Sequence, residues 1–156
     1  MKALTIKQPW ASLIVHGIKN IENRTWKTNY RGRILIHASA KDSGALYELL
    51  NERQLDVMNN HWTSDIFPDR PNSAIIGEVD IVDCVLNHDN IWAEHMQTHP
   101  CEDVEGLKIL NKGQKYIWNW ILSNPVLYDE PILNIKGKLS FWEFDKSKTV
   151  NHGLES

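Results

Sequence analysis

Lys19, Glu22 and Arg24 fall close together in the run GIKNIENRTW at residues 17–26. Read as a strand, whose side chains alternate between two faces, this run puts Asn20, Glu22, Arg24 and Trp26 on one face and Ile21, Asn23 and Thr25 on the other. A carboxylate, a guanidinium and an indole then stand in a row. An arginine fork can grip a phosphate or a carbonyl through two parallel hydrogen bonds. A carboxylate flanked by two cations stays ionised, and can accept from an amino group or act as a general base. An indole offers a flat face for an unstacked base, a contact worth about 1–3 kcal/mol per base. The same residues also read as an ordinary ion pair, a solvated lysine and a core tryptophan, so residue type alone leaves both readings open.

The elements around this run can be read from periodicity. Residues 3–7 alternate as a short strand, and Pro9 suits the first helical position before Trp10, Leu13 and Ile14 recur at helical spacing. Gly17 is a natural helix stop. Strands over 21–27 and 33–38 are expected to form a hairpin across the polar turn at 29–32. Residues 41–58 read as one helix with Leu46, Leu49, Leu50 and Val57 inward and Asp42 or Ser43 as cap. The run AIIGEVDIVDCVL at 74–86 predicts a strand, bent or bulged at Gly77. A short helix is expected around 91–96, a strand over 116–122 ending at Asn124-Pro125, extended chain over 131–135, and a last strand over 140–145. Together these predict an α+β domain, a small twisted β-barrel with helices packed against it.

Composition limits what such a domain does. The chain has 156 residues, 42% hydrophobic and 24% charged, the balance of one globular domain large enough to hold a core unaided. Net charge is only -3, yet residues 1–41 hold eight Lys and Arg against the single acid Glu22, while residues 42–110 hold 14 acids against three bases. Such an asymmetry can give one face an anion-attracting field, unless folding intermixes the signs. Cys84 and Cys101 are the only cysteines and form no CxxC, which points to a reducing cytoplasm. No run approaches the length of a membrane span, so no membrane partner is expected.

The longer pattern is QPWASLIVHGIKNIENRTW, then YRGRILIHASAK, then IGEVDIVDCV, then SNPVLYDEPILNIKGKLSFWEF, spanning about residues 3–144. In this order the segments resemble the ASCH domain (activating signal cointegrator homology), a branch of the PUA-like superfamily. The resemblance implies a PUA-type twisted barrel over residues 1–146 followed by a flexible tail at 147–156, with a cleft lined from the first helix, the GIKxxExR strand and the RG segment. It also implies a tie to RNA. Some members are thought to bind RNA or DNA as coactivator modules, some to cleave single-stranded RNA, and some to deacetylate N4-acetylcytidine; fold alone does not choose among them.

On that reading the polar face looks into a ligand cleft. Lys19, Glu22, Arg24, Trp26, Arg31 and Lys41 are the expected contacts to RNA or a nucleotide-like ligand, with Arg33 extending the basic rim and Trp10 an alternative stacking platform. No cofactor is expected. Whether turnover occurs stays open. In the amidohydrolase branch a lysine is followed three residues later by a threonine nucleophile. Here Lys19 is followed by Glu22, so Ser12 or Thr25 would have to substitute. A ribonuclease would use Glu22 and His37 as base and acid, with Lys19 and Arg24 on the phosphorane. Cys84, His88, His95, His99 and Cys101 form a further cluster in which His95 and His99 would share a helical face suited to zinc, but Pro100 breaks such a helix and no metal is expected. A protein-interaction role for the acidic middle rests on charge alone.

Overall fold

The computed structural model describes residues 1–61, 70–96, 98–102, 108–110 and 115–149. Its strands are β1 (Lys2–Gln8), β2 (Ile21–Arg24), β3 (Gly32–Asp42), β4 (Ala74–Leu86), β5 (Thr98–Glu102), β6 (Lys108–Leu110), β7 (Trp118–Ile132) and β8 (Phe141–Glu143). Helices α1 (Trp10–Val15), α2 (Leu46–Leu49) and α3 (Glu52–His61) and a closing 3₁₀ turn at Lys146–Thr149 complete it. The main sheet has six strands in the order β2-β7-β4-β3-β1-β8, with β5 and β6 pairing separately. β1 and β3 run parallel and the other neighbours antiparallel.

This backbone ladder is open, with β2 and β8 at its two edges, and is not the closed barrel expected from the strand count. Side chains reach across the gap instead. Arg24 on β2 donates from Nη2 to the Thr5 carbonyl of β1 at 2.8 Å. Trp26 stands edge-on to Phe141 of β8 with centroids 5.4 Å apart. The sheet is thus curled until its edges meet through an arginine and aromatic rings, leaving a seam.

Alternation explains the core. On β3, Ile34 and Ile36 join Leu4, Ile6, Ile14, Val15, Ile76 and Trp120 on one side, while Leu35 joins Ala3, Ile75 and Trp142 on the other. A central strand buried on both faces reads as a continuous apolar run, and each such aliphatic side chain contributes about 1.5–3 kcal/mol. Leu13, Ile18, Ile21, Leu50 and Trp92 form a third cluster beneath α1.

Several expectations are corrected. β2 does not form a hairpin with β3: it pairs with β7, Glu22 opposite Trp120 and Arg24 opposite Trp118, while β3 is claimed by β1 and β4. Residues 41–58 are not one helix. β3 runs on to Asp42, and Leu50 turns extended between α2 and α3. There Asn51 and Gln54 exchange side chain-to-backbone hydrogen bonds of 2.9 and 3.0 Å, a capping box that starts a new helix. β7 passes through Asn124-Pro125 and Pro131, because Asn124 takes a positive φ of 52° where the register against β4 slips. Residues 91–92 make a turn and 93–96 follow as irregular chain, so no helix forms there. The tail from 150 onward lies outside the described residues. Among the described residues no helix is long and apolar enough to cross a membrane.

The bend predicted at Gly77 is present, with β4 shifting register on either side of it. A Cβ there would lie 2.2 Å from the Val126 carbonyl oxygen and 2.8 Å from Val15 Cγ1, so the backbones of β4 and β7 meet where only glycine fits. Gly77→Ala is expected to destabilise the fold by about 2–3 kcal/mol, as overpacking at a rigid contact does. Urea denaturation checks this. A loss below about 0.5 kcal/mol, the range of ordinary surface changes, would show that the two strands can part freely.

Candidate functional site

The seam beside β2 holds the charged run. α1 ends at Gly17, whose φ of 77° lets the chain reverse so that the amides of Ile18 and Lys19 both donate to the Leu13 carbonyl at 3.0 Å. Gln8 secures the other end of α1: its Oε1 accepts from the Ser12 amide and its Nε2 donates to the Pro71 carbonyl, both at 3.0 Å. Lys19 is consequently turned inward and is only 5% exposed. Its ammonium donates to the Ile21 carbonyl and stands 5.7 Å from the centre of the Trp10 indole. Burial pushes the Lys19 pKa below the ordinary lysine value, opposed by the carboxylates of Glu22 and Glu94 and aided by Arg24.

Glu22 is buried, with its Oε2 3.9 Å from Arg24 Nη2. Two buried polar atoms lack a hydrogen-bond partner among the described residues, Glu22 Oε2 and Arg24 Nε, and both belong to this pair. Buried polar groups are normally satisfied, so this pair keeps an acceptor and a donor whose hydrogen-bonding capacity is unused.

The outer wall comes from residues 87–96, held by amides. Asn119, fully buried on β7, donates from Nδ2 to Asn23 Oδ1 at 2.8 Å and to the Glu94 carbonyl at 3.1 Å, and accepts from the His88 amide at 2.9 Å. Asn23 in turn donates to the Trp92 carbonyl and accepts from the Glu94 amide, each at 3.0 Å. Gln54 reaches across from α3 to the Ile91 carbonyl at 2.8 Å. The result is a cleft of about 450 Å³ with Lys19 and Glu22 at its floor, Trp10 and Trp92 among its walls, and Asn23 and Glu94 beside them. It adjoins a second hollow of about 380 Å³ that shares Trp10, Glu22 and Asn23 and is lined also by Arg24, Lys7 and Lys138.

The structure thus brings together Lys19, Glu22 and Arg24 with Trp10. It places the other candidates elsewhere. Trp26 packs edge-on against Trp120, centroids 4.5 Å apart, and accepts the Trp120 Nε1 hydrogen bond on its carbonyl. Arg31 is spent on the carbonyls of Thr28 and Tyr30 and on Asp83 at 3.6 Å, and Arg33 on Asp80 at 3.1 Å and Glu78 at 3.8 Å. The acids of β4 therefore neutralise part of the basic amino-terminal charge. Lys41 is exposed near the end of β3 and lines neither hollow.

His37 is 1% exposed: its Nδ1 meets Thr5 Oγ1 at 3.2 Å, its Nε2 meets the Ile135 carbonyl at 2.7 Å, and burial lowers its pKa. Both ring nitrogens are engaged, one on β1 and one on the segment between β7 and β8, which argues against it as a general acid for the cleft. Ser12 is buried in α1, and neither Ser12 nor Thr25 lines the cleft. His99 sits on β5, so it shares no helical face with His95, and no cluster suited to a metal occurs among the described residues.

Trp92, Glu94, Asn51 and Gln54 were not singled out by the sequence reading, nor were Asn23 and Asn119 as cleft-builders. The available signals were the N-x-x-Q capping pattern at 51–54 and a lone asparagine between tryptophans in WNW at 118–120.

A mixed six-stranded α+β sheet with a charged cleft at its seam defines the class. The ASCH domain family matches residues 4–132, and the chain belongs to that family. Over 90 residues it is 38% identical to human activating signal cointegrator 1 and 37% identical to the mouse protein, a stretch that is 53% of this chain but 14% of those relatives. The crystal structure of ASCH from Zymomonas mobilis superposes with a TM-score of 0.51 at 16% identity, over 99% of this chain and 95% of that one. A Y47F mutant of the same Zymomonas mobilis protein superposes equally, at 15% identity. At these identities the likeness speaks for the fold.

Proposed function

We propose that this domain binds RNA, taking one unstacked nucleotide into the cleft between Trp10 and the Lys19–Glu22–Arg24 run. The observation that carries this reading is the open pair of buried atoms, Glu22 Oε2 as acceptor and Arg24 Nε as donor, beside the flat Trp10 indole. A nucleobase edge offers amino donors and ring or carbonyl acceptors in that adjacency, and its face suits the indole. Lys7 and Lys138 at the mouth form no ion pair among the described residues and suit the phosphates. Family membership and the likeness to activating signal cointegrator 1 support this reading.

The test is a titration into labelled mixed-sequence single-stranded RNA at low and moderate salt, followed by a denaturing gel. Salt-sensitive binding that leaves the RNA intact is expected. Arg24→Ala is expected to weaken binding about tenfold to a hundredfold, the worth of a charge-assisted hydrogen bond, while costing about 1 kcal/mol of stability through the lost bond to Thr5. Undiminished affinity in that variant would remove the cleft from the binding surface.

A hydrolytic use of the same cleft draws on one observation, the depressed pKa of Lys19 beside two carboxylates. It would need Glu22 to activate water, since no Ser or Thr lines the cleft around Lys19. RNA cleaved by the wild type and spared by Glu22→Gln on that gel would favour it. An amidase acting on N4-acetylcytidine would have to draw its hydroxyl nucleophile from the adjoining hollow, where Thr5, Ser39, Ser43 and Ser140 lie.

A further inference from the structure

The segment between β7 and β8, residues 133–140, presents Leu139 with 94% of its surface exposed. Single exposed leucines are common and usually mean nothing. Position sets this one apart. Leu139 and Lys138 line both the hollow beside Arg24 and a separate one of about 330 Å³ next to it, bounded by Ser39, Ser73 and Lys136. The leucine therefore stands between two cavities.

Its support is rigid. Ile135 donates its amide to the Ser73 carbonyl at 2.8 Å and accepts from His37 on its own carbonyl. Gly137 is pressed so closely on His37 and Thr5 that a Cβ would fall 2.7 Å from each. Ser140 takes a positive φ of 56°, and Phe141 then pairs with Leu4 of β1. A tip fixed at both feet holds its apolar side chain outward at little further entropic cost on binding. Lys136 and Lys138 flank it, exposed and without an acidic partner among the described residues.

We infer that Leu139 is a wedge that parts two successive nucleotides of a single strand. One base enters the hollow beside Arg24 that Trp10 and Glu22 also line, its neighbour lies in the Ser39–Ser73–Lys136 hollow, and the lysines hold the phosphates. Apolar side chains inserted between bases act in this way, replacing the stacking that a base loses when it leaves its neighbour. The inference rests on the nucleotide reading of the cleft, and adds that the preferred ligand is a strand rather than a free nucleotide.

The experiment compares a labelled oligoribonucleotide of about eight residues with nucleoside monophosphates as competitors. Leu139→Ala is expected to lose about tenfold in oligonucleotide affinity, with less than about twofold change for the monophosphates, and Leu139→Met to recover most of the loss. Lys138→Ala should reduce the slope of log affinity against log salt by about 0.7. The exposed leucine carries no packing, so all variants stay folded. Equal losses on both ligands, or none on either, overturn the wedge. Monophosphates bound as tightly as the oligonucleotide by the wild type would overturn it while sparing the cleft reading. A wild type that binds neither would overturn both.

Discussion

Replacing Lys19 with methionine is expected to make the protein more stable and to disable its cleft. An ammonium this deeply buried loses hydration that the carboxylates of Glu22 and Glu94 do not restore, which is why its folded-state pKa lies below the ordinary value of 10.5. The linkage follows in sign. Between the folded and unfolded pKa values the unfolded chain holds more protons, so stability rises with pH through that window, and below it the charged lysine costs stability in full. Methionine fills a similar volume without charge. At pH 7 a gain of about 1 kcal/mol is expected, or about 2–4 °C in the melting temperature for a domain of this size. The variant should also lack the lysine's share of the rise as the pH climbs toward 10.5, read as the difference between wild-type and variant urea midpoints. RNA affinity should fall at least about tenfold, because the ammonium keeps donors beyond the one spent on Ile21. A variant less stable than wild type at pH 7 would mean that the carboxylates outweigh burial.

Local pattern told more about where elements run and bend than about which strands lie side by side. The β4 range of 74–86 and its bend at Gly77 followed from alternation and one glycine, and the stop of α1 followed from Gly17. The closeness of Lys19, Glu22 and Arg24 needed only their spacing and the turn that precedes them. A period of two says which face a residue takes, not which strand lies alongside, so the pairing of β2 with β7 rather than β3 was not legible. Asn124-Pro125 read as a strand end, and 131–135 as a separate extended stretch, because nothing local revealed that β7 has a slipped register to absorb the prolines. Trp26 shared a nominal face with Glu22 and Arg24, but the ladder ends at Arg24 and the alternation ends with it. The neutralisation of the basic rim was not legible for a different reason: Arg31 and Arg33 meet the acids Asp83 and Asp80, distant in sequence and adjacent across the sheet. Trp92 and Glu94 reach the cleft through amide hydrogen bonds spanning scores of residues, and no periodicity encodes those.

That amide network makes the second large prediction. Asn119→Ala leaves the Asn23 Oδ1, the Glu94 carbonyl and the His88 amide each short of one partner around a side chain that is itself fully buried. Each unpaired buried group costs about 1–3 kcal/mol, and partial opening of the 87–96 segment to water recovers some of it, so a net loss of about 3–4 kcal/mol is expected. Asn119→Asp keeps the acceptor for His88 and loses both donors, and should fall between wild type and alanine. The functional consequence separates scaffold from contact. Asn119 does not line the cleft, yet Trp92 and Glu94 depend on it for their position. RNA affinity should therefore fall in Asn119→Ala even at temperatures where the variant remains fully folded, and amide hydrogen exchange should quicken at residues 88–94 ahead of β3 and β4. Uniform acceleration across the sheet would instead make Asn119 an ordinary core residue, and the cleft wall would have to be held by Gln54 and Asn90, whose bonds to the Ile91 carbonyl and to Asn20 would remain.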